Sequence, residues 1–191
     1  YVTVSEDGVY TENFFPPHGF SDAVDEAVLF CKNHNLSRIR HFTVQDGEHI
    51  AHNIYHLVSD SVKRLYPEAD FQRVIFKTKT GSPEEIHRCF HEYLNAHSFD
   101  MAFTPNKKIG IIFNHQYSMH YGIRLPLTIK HICFVDSPAF EWEYPTVSSV
   151  NIPLRPIGKF SAQLIQSIIE NKPYPQQTFS SSVIHRDSTL F

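Results

Sequence analysis

Between residues 38 and 136 the hydrophobic pattern switches repeatedly between a strand period and a helix period, with roughly 30 residues per cycle. That alternation leaves few folds open. A strand, a long helix and a further strand make a right-handed βαβ unit. Several in series build a parallel sheet covered by helices. The expected class is therefore α/β.

Strands are expected at 1–5, 9–15, 38–44, 71–78, 99–104, 129–136, 147–152 and 179–185. Helices are expected at 21–33, from about 48 to 66, at 83–96, after Pro105-Asn106-Lys107-Lys108 to about 120, and at 156–171. The sharpest local signal is Thr80-Gly81-Ser82-Pro83-Glu84-Glu85. Ser82 is a cap, Pro83 takes the first helical position, and Glu85 closes a capping box. The run 129–136, IKHICFVD, reads as a buried strand that ends abruptly at the turn cluster Asp136-Ser137-Pro138.

The chain has 191 residues and a net charge of −3, enough for one sizeable core or two small lobes. No basic stripe is present, so this stretch does not itself grip nucleic acid. No apolar run is long enough to span a membrane. The opening YVTVSEDGVY lacks the basic start of a signal peptide, and the missing initiator Met fits a piece of a longer protein. Cys31, Cys89 and Cys133 show no paired spacing. They read as buried thiols of a cytoplasmic, reducing compartment.

Parallel strands bring all their carboxyl ends to one rim, where ligands of open α/β sheets bind. That rim would collect Gln45-Asp46, Lys79-Thr80, Asn106-Lys107 and Asp136-Ser137. Such a crescent suits a small polar molecule such as a sugar. Equally, strand ends in any α/β protein carry solvated turn residues, and Asp136 is either a ligand contact or a loop cap. Trp142 and Tyr144 can stack on a sugar ring or pack beneath their loop.

Thirteen histidines invite a metal reading. His87 and His91 are one helical turn apart, and His49, His52 and His56 share a helix face. No HExxH occurs, and no carboxylate or cysteine stands at a recognised spacing, so these read as surface histidines with no metal site. Walker, GxGxxG and GxSxG motifs are absent too. No nucleophile–base motif is found, so the chain is expected to be neither an enzyme nor the holder of a cofactor.

The final third adds a family pattern. Gly122…Pro126, IKHICFVDSP, YPTVSSVNIPLRPIGKFSAQLIQSII and SSVIHRDST occur in that order. Together they resemble the effector-binding domain of LacI/GalR-type transcriptional regulators, whose fold is that of periplasmic sugar-binding proteins (type I). Phe134-Val135-Asp136 stands where the family has Gly-Tyr/Phe-Asp. Ser148-Ser149 stands in its Pro-x-Thr-Thr-Val segment, and Arg186-Asp187-Ser188-Thr189 at its closing Arg-x-Ser/Thr. Upstream, NLSRIRHFTV and FTPNKKIG resemble its strand entry and its Asn-Asp segment.

The resemblance implies one complete C-terminal lobe, 18–152 with 176–191, and part of an N-terminal lobe, 1–17 with 153–175. It implies that the chain starts late in that lobe, lacking about three βα units and any DNA-binding head. The apolar face of 156–171 would then need the missing units to cover it. Among ligand contacts, Asp136 and Asn106 match the family. Lys107 replaces an Asp, and Asn53 replaces an Arg that forks onto effector oxygens. Asn cannot supply that fork, and Lys107 points to an anionic group.

The expected function is the effector-sensing and dimerising domain of a bacterial regulator. It would bind a sugar or sugar phosphate between two lobes and reach operator DNA through a head outside this chain, without contact to a membrane. The alternatives are a solute-binding protein of a sugar transporter and a regulator domain that has lost its effector.

Overall fold

The computed structural model describes residues 3–5, 8–10, 20–45, 49–122, 125–173 and 179–190. Several sequence expectations lie outside these residues: the turn at Glu6-Asp7, the stretch 11–19 with the lobe boundary at 17–18, Asp46-Gly47, and the boundary at 175–176.

Six strands form one sheet in the order β4-β3-β5-β6-β7-β8. They are β3 (Arg38–Val44), β4 (Asp70–Phe76), β5 (Met101–Thr104), β6 (Lys130–Cys133), β7 (Ser148–Asn151) and β8 (Ser182–Ile184). β3 through β7 are parallel, and β8 runs antiparallel to β7. A separate antiparallel hairpin pairs β1 (Thr3–Ser5) with β2 (Gly8–Tyr10).

Helices cover both faces. On one, α1 (Phe20–Asn33) and α2 (His49–Leu65) lay Val24, Ala27, Val28, Ile54, Val58 and Val62 over Ile39, Met101, Phe103 and Ile132. On the other, α3 (Pro83–Ala96) and α4 (Lys107–Tyr121) pack Ile86, Phe90, Ile109 and Phe113 against Phe42 and Ala102. Alternate residues of one strand thus serve opposite cores: Ile39 faces the first, Phe42 the second. Every residue of β5 and β6 is buried, as expected for central strands covered on both faces, and in β6 these include Lys130 and His131.

Local differences from the expected pattern have physical reasons. Ser82 caps α3 by accepting from Glu85 N, but the Glu85 carboxylate reaches past Ser82 to the Thr80 N–H and hydroxyl, at 2.9 and 3.0 Å. Gly81, at φ +65°, makes the turn that brings Thr80 within reach. β6 stops at Cys133, three residues earlier than expected. Phe134 N still donates to Thr104 O, and Asp136 then turns to partners on β7 and after β8. α5 (Leu154–Ile169) begins two residues before Pro156. Its apolar face is open: Ile157 is buried, whereas Ile165, Ile168 and Ile169 are 52, 54 and 78% exposed.

The cysteines are free, with Cys31 and Cys133 buried and Cys89 half-buried. Not all histidines lie at the surface. His41 on β3 and His131 on β6 are fully buried. His131 Nε2 lies 2.9 Å from Thr104 Oγ1, and neither nitrogen of His41 has a hydrogen-bond partner among the described residues. Burial pushes both imidazoles down to about 3, helped at His41 by the nearby Arg73 guanidinium.

The native state therefore holds both rings neutral at a pH where the unfolded chain, titrating near 6.5, takes up protons. Stability is fully present above pH 6.5 and falls as the pH drops from there toward 3. Each histidine contributes a slope of up to about 1.4 kcal/mol per pH unit. Urea denaturation of His41→Leu across this range should show a shallower acid loss than wild type, and higher stability at pH 5.

Candidate functional site

The parallel register from β3 to β6 puts successive carboxyl ends side by side, and the four candidate residues hang from these ends. Asn53 lies in the second turn of α2, after β3, and is exposed. Asn106 follows β5 and caps α4, its Oδ1 accepting from Ile109 N at 3.0 Å. Lys107 is the first residue of α4, exposed, with no hydrogen bond or ion pair among the described residues. The neighbouring Lys108 differs, because its Nζ donates to Gly81 O at 2.6 Å. Asp136 follows β6, which pairs with β5.

The start of α4 sits close to this rim because residue 110 is glycine. A Cβ there would stand 3.3 Å from Cys133 Sγ, Phe140 Cζ and Thr104 Oγ1. The loop after β6 is tied to the same helix, since Asn114 Nδ2 donates to Pro145 O at 3.0 Å and to Glu143 at 3.2 Å. Trp142 and Tyr144 on that loop are 89 and 63% exposed, so they are not packed beneath it.

Asp136 is both braced and open. Its Oδ1 accepts from the Ser149 hydroxyl at 2.5 Å and from Arg186 Nη2 at 3.1 Å. Arg186 in turn donates through Nη1 to Ser149 Oγ at 2.7 Å and to Val147 O at 2.8 Å, and lies 3.5 Å from Glu141. The Arg186 side chain is 10% exposed and that of Asp136 is 28% exposed. Oδ2 carries no hydrogen bond among the described residues. One oxygen is thus spent on the protein and the other remains an acceptor for a hydroxyl.

Arg186 is held by the chain end that follows β8. Ser188 Oγ donates to His131 O and accepts from Ser148 N, both at 2.7 Å. His131 N donates to Ser188 O, and Ser188 N donates to Thr146 O. Ser148 Oγ accepts from Arg186 N at 2.8 Å and meets Thr189 Oγ1 at 2.8 Å. Asp187 Oδ2 accepts from Thr146 N. Residues 186–189 thus stitch β6 to β7 where those strands begin.

Sequence reasoning singled out Asp136 but missed its partners. Both were in view, as Ser149 in PTVSSV and Arg186 in RDST. What was missing was that the antiparallel β8 brings the second motif against the first. Among the described residues no group of three or more His, Cys, Asp and Glu could hold a metal ion. No described helix is long and apolar enough to cross a membrane.

No protein-family model matches the chain, and no curated protein matches its sequence. Solved structures do match. A sugar-binding LacI-family regulator from Escherichia coli, complexed with phosphate, aligns over 90% of this chain at TM-score 0.73 and 19% identity. The chain has the fold of the LacI-family regulators. A second such regulator, from Arthrobacter sp. FB24 in complex with lactose, aligns over 90% at TM-score 0.72 and 16% identity. A dimeric Lac repressor aligns over 92% at TM-score 0.73 and 13% identity. The chain spans 61, 64 and 65% of these three structures, respectively. Its periplasmic-binding-protein-like architecture is therefore one lobe with part of another.

The Ser188 stitch makes a direct prediction. Ser188→Val leaves Ser148 N and His131 O without partners in a fully buried setting, at a cost of about 2–4 kcal/mol. Equilibrium urea unfolding would show this as a lower midpoint.

Proposed function

We propose that this chain is the effector-sensing part of a LacI-type transcriptional regulator. It binds a small sugar or sugar phosphate between its lobes, works as a homodimer, and reaches operator DNA through a head outside this chain. The observation that carries the reading is the Asp136 carboxylate, with Oδ1 fixed by Arg186 and Ser149 and Oδ2 left to accept. A sugar hydroxyl is the natural donor for an oriented carboxylate of this kind. The phosphate and lactose in two neighbours of the same fold, and the dimeric state of a third, support the ligand class and the assembly.

Asn106 and Lys107 stand at the next strand end over. Asn106 spends its Oδ1 on the α4 cap, leaving its amide N–H groups to donate. Lys107 adds a positive charge, which suits a phosphoryl group on the ligand. Asn53 stays within the proposed site but offers an amide, with no fork for two oxygens. Residues 1–17 with 153–175 are assigned to the second lobe and 18–152 with 176–191 to the first. The exposed Ile165, Ile168 and Ile169 support this division, because such a face needs a neighbouring layer. The regulator works inside the cytoplasm, and ligand closing the lobes shifts the population of DNA-binding states.

Titration calorimetry of the intact protein over sugars and sugar phosphates tests this reading. Asp136→Asn should weaken the best ligand by about 10–100-fold, the range for a lost charged hydrogen bond. Lys107→Gln, at an exposed position, should weaken only phosphorylated ligands. A panel in which nothing binds, or unchanged affinity in Asp136→Asn, would overturn the assignment.

A further inference from the structure

The rim that carries Asp136 is oppositely charged at its two ends. Beyond β4 and β5 stand Lys77, Lys79, Lys107 and Lys108, against Glu84 and Glu85 at the start of α3. Beyond β6, and in the turn after β8, stand Asp136, Glu141, Glu143 and Asp187, against Arg186 and His115. Several of these groups are engaged. Lys108 donates to Gly81 O, and Glu85 accepts from Thr80. Glu143 accepts from Asn114 Nδ2 and lies 3.0 Å from His115 Nε2, and Asp187 accepts from Thr146 N. Lys107 and Glu141 are both exposed, one at each end, and neither makes a hydrogen bond among the described residues.

Glu141 has a fixed seat. It closes the short 3₁₀ turn Pro138–Glu141, which Ser137 caps by accepting from Ala139 N at 3.3 Å. The residue before it, Phe140, is fully buried. The Glu141 side chain is 67% exposed, yet its Oε1 lies 3.5 Å from Arg186 Nη2, the nitrogen that donates to Asp136 Oδ1 at 3.1 Å. Glu141 is not needed to hold Arg186, which Val147 O, Ser149 Oγ and Asp136 Oδ1 already fix. What it adds is charge. A guanidinium is a natural anchor for a phosphoryl group. Here a second carboxylate faces it. A ligand on Asp136 therefore stands within about 10 Å of Glu141, one screening length at 0.1 M salt.

Resting on the effector reading, we infer that Glu141 is a specificity-determining residue of the proposed site, barring an anionic group from Arg186 and the Asp136 end. A phosphorylated ligand then enters one way round. Its phosphoryl group lies at the start of α4, near Lys107, and its hydroxyls reach Asp136. The ligand class is a sugar with a single phosphoryl group, because a second one at the far end meets Glu141. Lys107 selects for charge at one end and Glu141 against it at the other.

Inorganic phosphate at pH 8 is the probe. It is titrated into the intact protein at low salt and followed site by site, through the amide resonances of residues 106–109 and 139–142 and the Arg186 Nε–H. Wild type should show saturable shifts at 106–109, with a response at the Arg186 end at least about threefold weaker. Glu141→Gln should tighten the response at the Arg186 end by at least about threefold. That gain should shrink in 1 M sodium chloride, where the screening length is about 3 Å. Glu141→Asp keeps the charge and should behave as wild type. No saturable shift at 106–109, equal response at both ends in wild type, no gain in Glu141→Gln, or the same gain in Glu141→Asp would overturn the inference. The titration uses no sugar, so its outcome is separate from that of the effector reading, which falls if Asp136→Asn leaves sugar affinity unchanged.

Discussion

The rest of this structure depends on a seam closed by the chain end. β6 and β7 are short and share only two register pairs, Ile132 with Ser148 and Cys133 with Ser149. So short a parallel ladder is weak alone. The turn after β8 reinforces it, with the backbone and hydroxyl of Ser188 bridging His131 and Ser148. The same turn aims Arg186 at Asp136. Packing of the strand starts and orientation of the candidate ligand contact are therefore one event, set by residues more than 30 positions apart in sequence.

A carboxylate just beyond a strand is either a cap or a contact, and the two oxygens of Asp136 differ: Oδ1 is held by Ser149 and Arg186, whereas Oδ2 has no hydrogen bond among the described residues. The Oδ1 contacts at 2.5 and 3.1 Å fix its direction. In the proposed function, a ligand would meet Oδ2 without the entropic cost of ordering a mobile side chain. Lys107, exposed and without a hydrogen bond or ion pair among the described residues, would act in the proposed site through charge more than geometry.

Much of the fold was legible because its signals are local. The alternation of strand and helix periods marks the order of the elements, and Ser82-Pro83 marks the start of α3 within one residue. The buried histidines were not legible. His41 and His131 sit within RIRHFTV and IKHICF, where the period alone would place an apolar residue, and no sequence rule separates a core imidazole from a surface one. The brace on Asp136 needed the antiparallel return of β8, a long-range pairing that residue types alone do not encode.

The central claim is that Asp136 is held by Arg186 while one oxygen stays open. A double-mutant cycle measures this most directly, using Asp136→Asn, Arg186→Gln and the pair, each followed by urea denaturation at pH 7. A coupling of about 1–3 kcal/mol is predicted, because either single change strands a partly buried partner that the double change removes. Additive effects, within about 0.3 kcal/mol, would contradict the account.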